Sequence, residues 1–266
     1  MFTKMPLPLK NEIIYGPVNS KRLGRSLGIN IISAKEKICS FNCIYCQYGI
    51  TKKTSGTFFS TEEIEKALVD FFNNPRSIDY LTFSGNGEPT LHPEFARIVK
   101  KVKELRDKYA PSVPIALLSN SSNIINLSYE TLEMIDVKIF KLDAGNEELF
   151  LKINRPLIKI TLEEIVKGLK KVARKFPITI QTMFIIFNDE NNYEKKALKD
   201  YLFRIKEINP AFIQIYSSDR PVAETNVSPI TNEKLKKLEE IIHKKTKVLT
   251  RAYLNVPLAV RLGLER

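Results

Sequence analysis

A chain of 266 residues with 43% hydrophobic side chains can bury a substantial core, and 27% charged with 9% aromatic residues exclude a disordered polymer. No apolar run approaches the roughly 18 to 20 residues that span a bilayer, and the opening MFTKMPLPLK sets prolines and lysines where a secretory signal needs an apolar stretch, so a cytoplasmic protein is expected. Lys and Arg number 42 against 30 Asp and Glu, a net charge of +12, which suits contact with a polyanion such as RNA and equally a lysine-rich solvated surface.

Short β-rich runs alternate with longer amphipathic ones, the order of a parallel sheet with crossover helices. Strands are expected at Ser26 to Ser33, Tyr80 to Ser84, Ile115 to Ser119, Val137 to Leu142, Ile178 to Phe187 and Phe212 to Tyr216. Helices are expected at Thr61 to Phe72, Pro93 to Tyr109, Tyr129 to Met134, Leu162 to Lys175, Tyr193 to Ile208 and Asn232 to Lys244. Ser60 or Thr61 can cap the first helix, with a glutamate close behind. In Leu162 to Lys175, the basic residues Lys167, Lys170, Lys171, Arg174 and Lys175 oppose Ile165, Val166, Leu169 and Val172, as on the solvated back of a packing helix. Neither linker nor repeat interrupts the chain, so one domain is expected over 1–266, with a core over about 14–216 and a helix and tail over 217–266. Six βα units fit a doubly wound sheet or a partial barrel, and periodicity does not separate the two.

All three cysteines, Cys39, Cys43 and Cys46, fall within eight residues, in the loop at the C-terminal end of the first expected strand. Open α/β sheets and barrels keep their chemistry at that end. Three thiolates so spaced can wrap a soft metal centre, either an iron–sulfur cluster or zinc, and His92 is the nearest fourth ligand for zinc. A [4Fe–4S] cluster normally takes four cysteines, so three leave one iron open to a non-protein ligand.

The run CSFNCIYC resembles the Cx3CxΦC signature of the radical S-adenosylmethionine (SAM) superfamily, with Tyr45 at the aromatic position. SGNGEPT, Ser84 to Thr90, resembles that superfamily's GGE motif with Asn86 inserted, and FKLDAG resembles one of its strand ends. The stretch YGPVNSKRLGRSLGIN is similar to a subgroup related to the wyosine-synthesis enzymes of tRNA.

The resemblance implies an α/β fold built as a partial (β/α)6 barrel of parallel strands, laterally open, with the cluster at its C-terminal mouth. It implies a [4Fe–4S] cluster on Cys39, Cys43 and Cys46, with SAM chelating the open iron through its amino and carboxylate groups. An electron from the cluster then cleaves SAM to a 5′-deoxyadenosyl radical, which abstracts hydrogen from a substrate. The implied SAM contacts are Gly85, Asn86, Gly87 and Glu88 beside the amino group, and Ser119, Asn120, Lys141, Asp143 and Gln181 toward the carboxylate or ribose. Tyr45 would lie near adenine. Read locally, Lys141 is equally an ordinary strand-end lysine, Asp143 an Asx cap and Gln181 a polar strand start. Basic residues placed to meet a substrate are Lys21, Arg22, Arg25, Lys52, Lys53, Arg155 and Arg220. An RNA-modifying enzyme, an enzyme or maturase acting on a protein or small metabolite, and a non-enzymatic zinc or Fe–S module remain as readings. A reductant such as flavodoxin or ferredoxin is the expected partner of the first two.

Overall fold

The computed structural model describes residues 6–218, 222 and 224–255. The chain opens with a hairpin of β1 (Ile14–Ser20) and β2 (Gly24–Ile29), then alternates strand and helix: α1 (Thr61–Asn73), β3 (Tyr80–Phe83), α2 (Phe95–Tyr109), β4 (Ile115–Ser119), α3 (Tyr129–Glu133), β5 (Val137–Lys141), α4 (Glu147–Ile153), α5 (Leu162–Ala173) and β6 (Ile178–Met183). There follow β7 (Ile185–Phe187), β8 (Glu190–Asn191), α6 (Lys195–Ile208), β9 (Phe212–Tyr216), β10 (Val227–Pro229), α7 (Asn232–Thr246) and β11 (Leu249–Tyr253). The main sheet runs β1-β2-β3-β4-β5-β6-β9-β11, parallel throughout except for β1. The six parallel strands from β2 to β9 form the curled sheet of a partial barrel.

Strand side chains alternate between the two faces of this sheet. Leu27, Leu81, Phe83, Leu117, Phe140, Ile180 and Ile213 join the core shared with Ile64 and Leu68 of α1, Val102 of α2 and Leu169 of α5. On the inner face, Leu23 makes a small apolar plug with Ala116 and Ile139, and much of the rest is polar. Ser26 bonds Thr82 at 2.7 Å, Gln181 donates to Gln214 at 3.0 Å, and Tyr15 meets Ser84 at 2.6 Å. Gly28 has no Cβ because the Tyr15 ring lies across it; a Cβ there would come within 2.1 Å of that ring.

Capping boxes start α1 and α5, where Ser60 and Thr161 pair with Glu63 and Glu164. Of the basic stripe, Lys167 and Lys171 on α5 and Arg174 and Lys175 just beyond it are exposed and Lys170 is half-buried, so the stripe is an outer wall.

Four local expectations differ from the structure. The hairpin strand β1 precedes the first strand expected. The run Ile178 to Phe187 breaks at Phe184, whose N–H still reaches Tyr216 of the main sheet, while Ile185 donates to the Asn192 side chain and turns away into a small sheet ordered β10-β7-β8. The short helix α4 is started by Asn146, whose side chain accepts from Leu149 N–H. The sheet does not end at Tyr216: β11, in the segment expected to be helix and tail, adds a further parallel strand beside β9. Residues 256–266 of that expected tail lie outside the described residues.

Candidate active site

The cysteine loop is stitched to two other segments through its backbone. Ile38 donates to Asn86 and accepts from Glu88, at 3.1 and 3.0 Å, while Asn42 and Ile44 donate to Arg155 and Ile153, both at 3.0 Å. Each thiol then meets one nitrogen donor from a different segment: Cys39 the Asn120 amide at 3.4 Å, Cys43 the Asn154 amide at 3.5 Å, and Cys46 the Lys37 ammonium at 3.1 Å. Burial, then the neighbouring Cys43, push the Cys39 thiol up; burial, then Cys46, push Cys43 up to about 11. Three adjacent sulfurs in a desolvated pocket, each facing an N–H donor, fit a thiolate-bound group that replaces their protons. Among the described residues, no three Cys, His, Asp or Glu side chains converge as ligands of a single metal ion. His92 is not placed as a zinc ligand, since its Nε2 meets the Phe59 carbonyl at 2.8 Å and its Nδ1 accepts from Glu94 N–H at 3.0 Å.

Beside the thiols, Asp143 organises a buried polar node. Its carboxylate accepts from Met183 N–H at 2.8 Å, from Asn154 at 3.1 Å and from the Tyr45 hydroxyl, and it pairs with Lys141 at 2.8 Å. Lys141 also donates to the Tyr216 hydroxyl at 3.0 Å and lies over the rings of Tyr45 and Tyr216. Burial alone would lower the Lys141 pKa, but Asp143 and Tyr216 outweigh it and leave it raised. Asp143 is thus far more than a local cap, because Tyr45, Asn154 and Met183 reach it from three other segments.

The GNGE turn has a different logic from close approach to a ligand. Gly85 and Gly87 have φ of +139° and +152°, and a Cβ on Gly87 would lie 1.7 Å from the Ile38 carbonyl oxygen. The glycine is demanded by the cysteine loop packed against it, although both glycines also line the cavity. A valine at 87 would displace Ile38, the neighbour of Cys39, and disturb the thiols as well as any SAM contact. Asn86 is a buried clamp that bonds the backbone of Lys10 and Ser33. Glu88 is fully buried and accepts from Thr90 N–H and hydroxyl, the Ser119 hydroxyl and Asn120 N–H, at 2.6 to 3.1 Å. Its carboxylate is engaged with these four protein donors, and it ties the turn to the end of β4. Burial raises its pKa against the pull of those donors.

A cavity of about 470 Å³ adjoins Cys43 and Cys46 and is walled by Tyr45, Asn120, Lys141, Met183 and Tyr216, with Gly85 and Gly87. Asn86, Glu88, Ser119, Asp143 and Gln181 stand behind this wall; Gln181 is held by Gln214. Its described wall carries Lys10, Lys21, Arg22 and Lys141 and no aspartate or glutamate.

Of the basic residues expected at the mouth, only Lys21 and Arg22 reach this cavity. Arg25 sits at the opposite, N-terminal rim in a bidentate pair with Asp79, which holds the Asp79 carboxyl down to about 2. Lys53 pairs with Glu36 and Arg155 with Glu224. Lys52 is exposed and off the cavity wall, and Arg220 lies outside the described residues. Residues that sequence reasoning missed include Lys37, Asn154, Asn192 and Tyr216. Lys37 stands two residues before Cys39 and Tyr216 ends an expected strand, while no motif marks Asn154 or Asn192.

The family model of the radical SAM superfamily matches residues 37–201. Among curated proteins, GTPase Obg of Brachyspira hyodysenteriae is 32% identical over 236 residues, covering 87% of this chain and 34% of that protein, so the chain spans about a third of that relative. The UPF0026 proteins MJ1312 of Methanocaldococcus jannaschii and slr1464 of Synechocystis are 36% and 35% identical, over 87% and 78% of this chain and 71% and 76% of theirs. In fold, the chain is similar to a radical SAM methyltransferase from Sphaerobacter thermophilus, with a TM-score of 0.65, 13% identity and coverage of 86% of this chain and 66% of that one. It is similar also to TYW1 with a lysine–pyruvate adduct bound, with a TM-score of 0.58, 16% identity and coverage of 83% and 73%. With Cx3CxxC thiols at the C-terminal end of a curled parallel sheet and a family match over most of the barrel, the chain belongs to the radical SAM superfamily.

Proposed function

We propose that this chain is an enzyme that holds a [4Fe–4S] cluster on Cys39, Cys43 and Cys46, binds SAM in the adjoining cavity and turns its cleavage to hydrogen abstraction from a substrate. The observation that carries this reading is the set of three neighbouring thiols, each faced by an N–H donor, with Cys43 and Cys46 lining one cavity free of carboxylates on its described wall. Bound there, the cluster would supply the electron that breaks the C5′–S bond of SAM. The chain's own part is positioning. Asn120, Asn154 and Lys37 direct N–H groups at the sulfurs, and Asp143 holds Lys141 and Tyr45 at the cavity wall. Lys141 stays protonated there and presents positive charge to the SAM carboxylate.

Anaerobic reconstitution with iron, sulfide, dithionite and SAM is expected to yield 5′-deoxyadenosine and methionine; no such products from cluster-loaded protein would sink the reading. The enzyme is placed in the cytoplasm, reduced by a flavodoxin or ferredoxin. On the substrate's class two readings stand, RNA, which the net charge of +12 suits, and a protein or small metabolite. Because phosphate contacts release counterions, tRNA retention by the protein should on the RNA reading fall steeply between low and moderate salt, and retention that ignores salt would count against that reading.

A further inference from the structure

Among the described residues, the tip of the β1–β2 hairpin closes the gap between the two edge strands. Lys21 Nζ reaches the Leu254 carbonyl just beyond β11, at 2.5 Å, and Leu23 plugs the barrel interior. Between them Arg22 turns into the cavity with its guanidinium 4.5 Å from the centroid of the Tyr216 ring. Its charge also reaches Tyr253, where burial raises the hydroxyl's pKa and Arg251, then Arg22, offset part of the rise. Arg25, three residues on, is locked by Asp79, whereas no carboxylate of the described residues pairs with Arg22. A guanidinium lying over a ring face leaves N–H groups at its own planar edge, the fork that grips a carboxylate or phosphate with two parallel bonds. A half-buried cation that no described carboxylate pairs, in a cavity whose described wall has no acid, is stabilised when a ligand brings the negative charge.

We propose that Arg22, seated on Tyr216, recognises the anionic group of a small carboxylate- or phosphate-bearing substrate bound in this cavity. The proposal rests on the enzymatic reading above and adds the substrate's class. The cavity of about 470 Å³ is within the range of small-molecule sites, and with SAM beside the thiols its hairpin end is left for a small substrate.

The test is calorimetric titration of the reconstituted, SAM-loaded full chain with inorganic pyrophosphate and, separately, malonate. One of them is expected to bind with one-to-one stoichiometry, pyrophosphate marking a phosphate and malonate a carboxylate substrate. Arg22→Gln should weaken that binding by about tenfold or more, Arg22→Lys by less because the charge remains without the planar fork, and Arg25→Gln should leave it as in the wild type. Three outcomes overturn the proposal: neither anion binds stoichiometrically, Arg22→Gln binds it as well as the wild type, or Arg22→Gln loses SAM affinity in the same proportion. Bulk tRNA binding more tightly than either anion, and lost with Arg22, would make RNA the occupant and overturn it too. Failure to form 5′-deoxyadenosine in the unmodified protein would instead remove the enzymatic reading, and anion binding would not restore it.

Discussion

Replacing any one of Cys39, Cys43 or Cys46 by alanine is expected to abolish the broad visible absorbance of the reconstituted protein and to cut 5′-deoxyadenosine formation by more than about a hundredfold. The chain has no other cysteine to substitute, and His92, the nearest imidazole in sequence, has both nitrogens engaged in a loop. The three thiols are free rather than disulfide-bonded, so their loss cuts no covalent crosslink. Each variant should therefore fold, and far-ultraviolet circular dichroism of the apoprotein should match the wild type. An alanine variant that retained a full cluster and full cleavage would contradict the ligand set. Unfolded variants would show instead that the thiols serve packing.

Asp143→Ala should produce the largest loss of stability. The carboxylate is fully buried and pairs with a lysine that is only 15% exposed, while also accepting from Tyr45, Asn154 and Met183. Removing one partner of a buried pair strands the other charge, which costs about 3 to 5 kcal/mol. For a chain of this size the melting temperature should drop by roughly 10 °C, read by calorimetry on the apoprotein. Asp143→Asn keeps an acceptor but turns an amide toward donors, and should lie between the two. The pH dependence has a definite sign. Lys141 has a folded pKa raised above the ordinary 10.5, so its contribution is complete below that value and is lost as pH climbs through the folded one. Above that pH the wild type should lose stability faster than Asp143→Ala, which has already lost the pair; parallel profiles would show that Asp143 does not hold Lys141 charged.

Local sequence determined a good deal of this protein. The cysteine spacing is a property of eight residues, and the capping boxes at Ser60 and Thr161 need only their own glutamates three positions on. Strand β4 coincides with its expected span because IALLS is bounded by polar and turn-forming residues on both sides. The alternation of strand and helix was legible for the same reason, since periodicity is written within each segment. Tertiary structure decided what depends on partners far along the chain. IIF at 185–187 has a good strand pattern, yet Asn192 draws it from the main sheet, and β11 is a strand only because β9 offers it an edge. Arg22 and Arg25 look alike in KRLGR, but Asp79 locks one at the barrel floor while Tyr216 stacks the other inside the cavity. The donors that meet the three thiols come from residues 37, 120 and 154, brought together by the curl of the sheet. A short motif specifies its own spacing and backbone preference, whereas a site is completed by groups whose proximity is produced only when the barrel closes around its polar interior.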